Sequence, residues 1–205
     1  MAHILVIESS GRKQGSFSRM LVNEFVEQLK SQNSDHNFTL RDLAHEPIPV
    51  LNADITDAIR TPPDTITAEQ RNATALSEQL IGELKAADFV VIGSPMYNWN
   101  ISASLKAWLD QVMRVGMTFG YTETGVKGLL ENKPALVVLS RGGSYDAPER
   151  AAVDMQKPYL QNVLGVMGLA PTFVTMEGSL MGEELCAKNL AAARQAIADV
   201  AATLG

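Results

Sequence analysis

Cysteine is nearly absent: Cys186 is the only one in 205 residues. No intrachain disulfide can form, and a reducing compartment, the cytoplasm, is the expected setting. Basic charge is not in excess either. Seventeen Lys and Arg face 23 Asp and Glu, a formal net charge of −6. That argues against nucleic acid as the main partner, because phosphate backbones require clustered cations. Apolar runs such as the five-residue Phe89–Gly93 fall far short of the ~20 needed to cross a bilayer. Met1–Glu8 lacks the basic region of a signal peptide, so neither a membrane nor a leader is expected. His3, His36 and His45 show no ligand spacing, and no metal site is expected. No G-x-G-x-x-G follows the first apolar run. Gly120, Gly125 and Lys127 match a Walker A loop only by chance, with no strand before them. The serines lack a G-x-S-x-G elbow and an obvious histidine partner. Aromatic residues are scarce too, at 6% of the chain.

The chain does contain short β-branched apolar runs spaced between helical periodicities. The runs are His3–Ile7, Phe38–Leu40, Phe89–Gly93, Ala135–Leu139 and Thr172–Met176. Three are continuously apolar, which suits strands buried on both faces. Helices are predicted over Ser16–Lys30, Thr67–Ala86, Ile101–Val112, Ala152–Val166 and Met181–Leu204, with Thr67 and Gln70 spaced as a capping box. Pro158 should start or kink the fourth. Cys186 falls in the last, as a packing residue. Pro47–Pro63, with four prolines and no strong period, reads as a long irregular excursion. Strands alternating with crossover-length helices make a single α/β domain over residues 1–205, a three-layer sandwich with a five-stranded parallel sheet.

Ligands of open α/β sheets bind beyond the carboxyl ends of the strands, which singles out three loops. Ser9–Ser18 holds four serines and two glycines and runs straight into a helix. With Ser16 as N-cap, it reads as a phosphate site or simply as a capped helix after a flexible loop. Ser94–Ser102 carries Met96, Tyr97, Asn98 and Trp99. These suit the walls and polar edge of a planar heterocycle, or else the cover of the sheet end or a subunit interface. Ser140-Arg141-Gly142-Gly143-Ser144 offers backbone N–H groups at close range, or an ordinary turn. Together, a phosphate end, a planar ring and ring-edge donors describe FMN in a flavodoxin-like arrangement. Six of the twelve aromatics (Phe17, Tyr97, Trp99, Phe119, Tyr121 and Tyr145) fall in predicted loops, where a flat cofactor and flat acceptors would stack.

These residues resemble the FMN-dependent NADH-azoreductases, also described as NAD(P)H quinone reductases. The resemblance runs along nearly the whole chain. It rests on Ser10, the Ser16-x-Ser18 pair, Pro95-Met96-Tyr97-Asn98 and Ser140-Arg141-Gly142-Gly143, in that order. It extends to Arg41-Asp42-Leu43, Pro47-Ile48-Pro49, Leu105-Lys106, Thr118-Phe119, Tyr121-Thr122-Glu123 and Pro158-Tyr159-Leu160. It implies a flavodoxin-like fold, non-covalent FMN and a homodimer with sites at the interface. Family contacts carry over to Ser10, Ser16, Phe17 and Ser18 at the phosphate end. Around the ring they carry over to Met96, Tyr97, Asn98 and Trp99, and to Ser140, Arg141, Gly142 and Gly143. The family often has Phe where this chain has Trp99, and an aromatic near Val163, here absent.

The resemblance further implies two-electron transfer from NADH or NADPH through flavin N5 to quinones and azo compounds, with ping-pong kinetics. Azo cleavage to amines takes two cycles. The cofactor carries the chemistry, so no catalytic acid or base is assigned. Backbone N–H groups of Asn98, Gly142 and Gly143 are candidates to stabilise charge on the ring. Arg60 is a candidate contact for nicotinamide phosphates and Tyr121 for the acceptor, from across a dimer; a solvated Arg and a structural Tyr are the plainer readings. The alternative is a flavodoxin-like electron carrier with a protein partner. Carriers tend to be shorter and acidic around the flavin, whereas Arg12, Lys13 and Arg141 are expected at this rim.

Overall fold

The three continuously apolar runs become the three central strands of one sheet. A computed structural model describes residues 1–61, 65–145 and 147–204. Its main sheet is parallel throughout, in the order β2-β1-β3-β6-β7. The strands are β1 (His3–Glu8), β2 (Asn37–Asp42), β3 (Phe89–Pro95), β6 (Lys133–Ser140) and β7 (Leu169–Met176). Every residue of β3 is buried, and β1 and β6 nearly match it. The edge strands β2 and β7 carry the polar and half-exposed positions, as edges of a covered parallel sheet should.

Alternate side chains of each central strand enter different cores. Leu5, Ile7, Val90, Ile92, Val137 and Leu139 pack under helices α3 (Ala68–Ala86), α4 (Ala103–Val112) and α6 (Lys157–Met167). Ile4, Val6, Val91, Leu136 and Val138 pack under α1 (Phe17–Gln32) and α7 (Glu183–Ala202), where half-buried Cys186 joins the packing. The predicted stripe lies wholly inside: Leu105, Trp108, Leu109 and Val112 of α4 are all buried, as is Ile101, two residues before the helix. The Thr67–Gln70 capping box forms in both directions, at 3.2 and 3.0 Å. Among the described residues no helix is long and apolar enough to cross a membrane, and no cluster of three or more His, Cys, Asp or Glu could hold a metal.

Three expectations need correcting. The helix expected from Ala152 begins at Lys157, preceded by the single turn α5 (Pro148–Ala151). Pro158 tolerates only a first turn, where its missing N–H costs nothing. The Asp154 carboxylate caps that turn, accepting from the N–H groups of Gln156 and Lys157 at 2.9 and 3.1 Å. The supposedly irregular excursion contains α2 (Ala53–Arg60), capped by the Asn52 side chain; Pro62 and Pro63 lie outside the described residues. Three of the aromatics assigned to loops are in regular elements. Phe17 is the first residue of α1, and Phe119 and Tyr121 lie on β4 (Phe119–Thr122), paired antiparallel with β5 (Gly125–Gly128). Four-residue strands rich in glycine give too little alternation to read. Gly128 is required there, because a Cβ would fall 2.3 Å from the Gly168 backbone nitrogen.

Candidate functional site

Strand order reverses between β1 and β3. The loops after β1, β3, β6 and β7 therefore converge on a crevice at the carboxyl edge of the sheet. Ser9 fastens β1 to β3: its N–H and hydroxyl both donate to the Gly93 carbonyl, at 3.2 and 2.7 Å. Ser10 is buried, and its hydroxyl accepts from the Arg12 N–H at 3.3 Å. Ser16 caps α1, accepting from the Arg19 N–H at 3.4 Å, and its hydroxyl lies 3.3 Å from that of Ser18. The first turn of α1 has no acidic residue. Among the described residues the N–H groups of Phe17 and Ser18 find no acceptor. A helix N-terminus with free N–H groups, adjacent hydroxyls and no competing carboxylate attracts anions.

The charges beneath this loop are arranged by long-range contacts. Arg19 pairs with Asp42 at 2.5 Å and donates to the Ser10 carbonyl at 3.0 Å. Burial alone would raise the Asp42 pKa. The Arg19 bond outweighs it, with help from His45 and the Ala44 N–H, and lowers it to about 2. Glu8, at the end of β1, is 1% exposed, and neither carboxylate oxygen has a hydrogen-bond partner among the described residues. Its pKa rises to about 7: burial pushes it up, Arg19 pulls it down, and Asp42 adds to the rise.

The loop after β3 closes in a tight turn. Tyr97 and Asn100 exchange backbone hydrogen bonds of 2.8 and 3.0 Å. The two residues between them, Asn98 and Trp99, have φ of 49° and 65°. This is the left-handed geometry of a type I′ turn, which Gly accepts freely and Trp does not. Trp99 is 56% exposed. Tyr97 reaches the first loop, its hydroxyl accepting from the Gly11 N–H at 3.1 Å. A cleft of about 220 Å3 lies between Ser10, Phe17, Met96, Tyr97, Ser140 and Gly142. Across Met96 and Gly142 it meets a hollow of about 340 Å3 bounded by Asn98, Trp99, Gly143 and Tyr145. A larger hollow of about 730 Å3, beside Val126 and the start of α6, contains none of these residues. The strand-end position favours the smaller cleft.

The predicted positions that meet around this crevice are Ser10, Ser16, Phe17, Met96, Tyr97, Ser140, Arg141 and Gly142, joined by Asn98, Trp99 and Gly143 at the hollow. Ser18 sits fully buried behind Ser16. The Arg141 side chain differs from its expected place on a basic rim. It is 3% exposed and ion-paired to both Asp154 and Glu177, at 2.7 and 2.8 Å. An acceptor on each side draws the guanidinium inward, while Arg141 still lines the cleft. Arg60 is exposed at the end of α2, and Tyr121, 70% exposed, stands on the β4–β5 hairpin against Phe119; neither borders the cleft of its own chain.

Sequence reasoning missed the loop after β7, where Ser179 and Leu180 line the cleft. The signal was available, because a strand ending at Met176 puts residues 177–180 on the same sheet edge as the other three loops.

A family described as having a flavodoxin-like fold matches residues 2–201. An FMN-dependent NADH:quinone oxidoreductase of Azotobacter vinelandii is 43% identical over 202 residues, 98% of this chain and all of that protein. The chain belongs to this family. A second relative, FMN-dependent NADH:quinone oxidoreductase 3 of Pseudomonas aeruginosa, is 45% identical over 196 residues, 95% of this chain and 91% of that protein. Among solved structures, an azoreductase from Bacillus anthracis superposes with a TM-score of 0.90 at 26% identity, covering 98% of this chain and 99% of that one.

Proposed function

We propose that the chain, as one flavodoxin-like domain, is an FMN-dependent oxidoreductase that moves two electrons from NADH to quinones and azo compounds. The observation that carries this reading is one crevice with an acid-free helix N-terminus at one end and free glycine N–H groups at the other. That donor set fits FMN, whose phosphate is dianionic and whose ring is flat. The relatives' names point the same way.

Ser10, Ser16, Ser18 and the N–H groups of Phe17 and Ser18 would hold the phosphate. Met96, Tyr97, Asn98 and Trp99 would wall the ring, and Ser140, Arg141, Gly142 and Gly143 would meet its polar edge. FMN held there would supply the two-electron redox chemistry between NADH and the acceptor. The protein's part is to bind, orient and polarise. The Trp99 ring offers a stacking face for a flat acceptor. Donors fixed before the reaction stabilise developing negative charge without reorganising. No side chain is assigned as catalytic acid or base.

A homodimer is part of the proposal, with sites at the interface: Tyr121 would reach the acceptor from the second copy, and Arg60 would meet the nicotinamide phosphates. The single Cys186 suits a cytoplasmic setting.

The deciding experiment is a visible spectrum of the purified protein followed by anaerobic NADH titration. A yellow protein bleached by NADH and recoloured by a quinone is expected. Failure to take up FMN would overturn the proposal, and flavin that NADH cannot bleach would favour an electron carrier.

A further inference from the structure

The loop after β7 is bonded along its length to the loop after β6. The N–H groups of Gly178, Ser179 and Leu180 donate to the carbonyls of Gly143, Arg141 and Gly142, at 3.0, 3.2 and 3.0 Å. Among the described residues every peptide is trans, so the C=O and N–H of one peptide point opposite ways. Fixing the Arg141 and Gly142 carbonyls toward residues 179 and 180 therefore turns the N–H groups of Gly142 and Gly143 the other way. Neither N–H has an acceptor among the described residues.

One carboxylate organises this arrangement. Glu177 is 6% exposed. One oxygen accepts from Arg141 at 2.8 Å; the other accepts from the Ser144 hydroxyl at 3.0 Å and the Tyr145 N–H at 3.1 Å. The three donors lie on both sides of the Gly142–Gly143 pair, so Glu177 grips the loop before and after its free N–H groups. Arg141 carries the grip onward to Gln156 at 3.1 Å, and Gln156 donates to the Ser94 carbonyl at 2.9 Å and to its hydroxyl at 3.1 Å. The carboxyl ends of β3, β6 and β7 are thus tied by one buried polar network, in which charge-assisted bonds are strong and a missing partner is costly.

We propose that Glu177 is a positioning residue: by holding Arg141, Ser144 and the Tyr145 amide it aims the Gly142 and Gly143 N–H groups at the bound ring and so raises the reduction potential of the cofactor. The inference rests on the FMN reading above. Donors aimed at an edge that gains negative charge on reduction bind the reduced cofactor more tightly than the oxidised one. Loosening them weakens both, the reduced state more.

The test compares wild type with Glu177→Gln and Ser144→Ala, measuring FMN affinity by fluorescence titration and the midpoint potential by anaerobic titration against a reference dye. Gln cannot accept from all three donors, because its amide nitrogen would face an N–H. In Glu177→Gln the ratio of reduced to oxidised affinity should fall about tenfold, which for a two-electron couple is ~30 mV more negative. Ser144→Ala removes one bond and no charge, and should shift the ratio about twofold in the same direction. A merely structural role would lower the melting temperature and leave the potential unmoved, and that result overturns the inference. Should Glu177→Gln not hold FMN, Ser144→Ala decides, an unchanged potential again overturning it. A wild-type chain that takes up no FMN would sink the functional proposal and this inference with it. A wild type that binds and is bleached, with variants of unaltered potential, sinks the inference alone.

Discussion

The two ends of the crevice are built differently. The proposed phosphate end is a local construction: Ser10, Ser16, Phe17 and Ser18 span nine residues, and the Ser16 cap closes on Arg19 three positions later. The ring end is assembled from far apart, with Arg141 bound to Glu177 across 36 positions and Gln156 to Ser94 across 62. A local site tolerates change elsewhere in the fold, and its strength is set by electrostatics at one helix terminus. A distributed site transmits any loosening from one strand end to the others.

The sharpest way to break this comparison is to spoil the local end without unfolding it. Asp caps a helix as well as Ser, so Ser16→Asp should keep α1 intact while placing a carboxylate where the phosphate would sit. Two like charges about 4 Å apart near a protein surface repel by about 4 kcal/mol. FMN affinity should therefore fall roughly a thousandfold with little change in melting temperature. A fluorescence titration showing affinity within a few-fold of wild type would remove the phosphate from this loop.

The contrast also explains what could be read from the sequence. Caps, capping boxes and the buried stripe of α4 depend on residues three or four apart, so Ser16, Thr67–Gln70 and the Leu105–Trp108–Leu109 face were legible. The five parallel strands were legible as well, but their order in the sheet was not, because parallel pairing with crossovers allows more than one order. Nothing local marks Glu177 as the partner of Arg141, or turns Arg141 away from the rim. Those outcomes depend on which strands become neighbours, β6 beside β7, and on the relative cost of a buried guanidinium with two carboxylates against an exposed one. The β4–β5 hairpin was hidden for a different reason: its strands are short and glycine-rich, and they pack by close backbone approach at Gly128 instead of by side chains.

Glu8 qualifies the local character of the proposed phosphate end, since its carboxylate fills the space a Gly93 side chain would need, 2.7 Å from where that Cβ would fall, and this is a long-range feature. The folded chain holds the Glu8 proton up to about pH 7, whereas an unfolded chain releases it near 4.5. Between these values the unfolded state binds fewer protons, so the Glu8 contribution to stability falls as pH rises, by about 3 kcal/mol over the window, and that contribution is flat outside it. Asp42 acts with the opposite sign and elsewhere: its contribution is complete above 3.8 and is lost as pH falls through about 2. Glu8→Gln should abolish the decline, matching wild type near the bottom of the window and exceeding it at about pH 8. Urea denaturation across that range is the check; a wild-type stability flat from about pH 5 to about pH 8 would refute the role of Glu8.

The smallest expected effect is at Trp99, where the ring end carries its backbone strain. Asn followed by Gly is the preferred pair for a two-residue type I′ turn, and Trp99 sits at the second position with a φ of 65°. Trp99→Gly should relieve that strain and stabilise the fold by about 1 kcal/mol, even though a large side chain is removed. Trp99 is 56% exposed, so the packing lost with its side chain is modest. Trp99→Phe keeps an aromatic face and the strain together. If the strain is maintained to present that face, the Gly variant should unfold at higher urea and reduce quinones with a raised KM, while the Phe variant matches wild type in both. If Trp99→Gly is instead less stable, the turn is held by packing of the indole, and the ring belongs to the core in place of the acceptor.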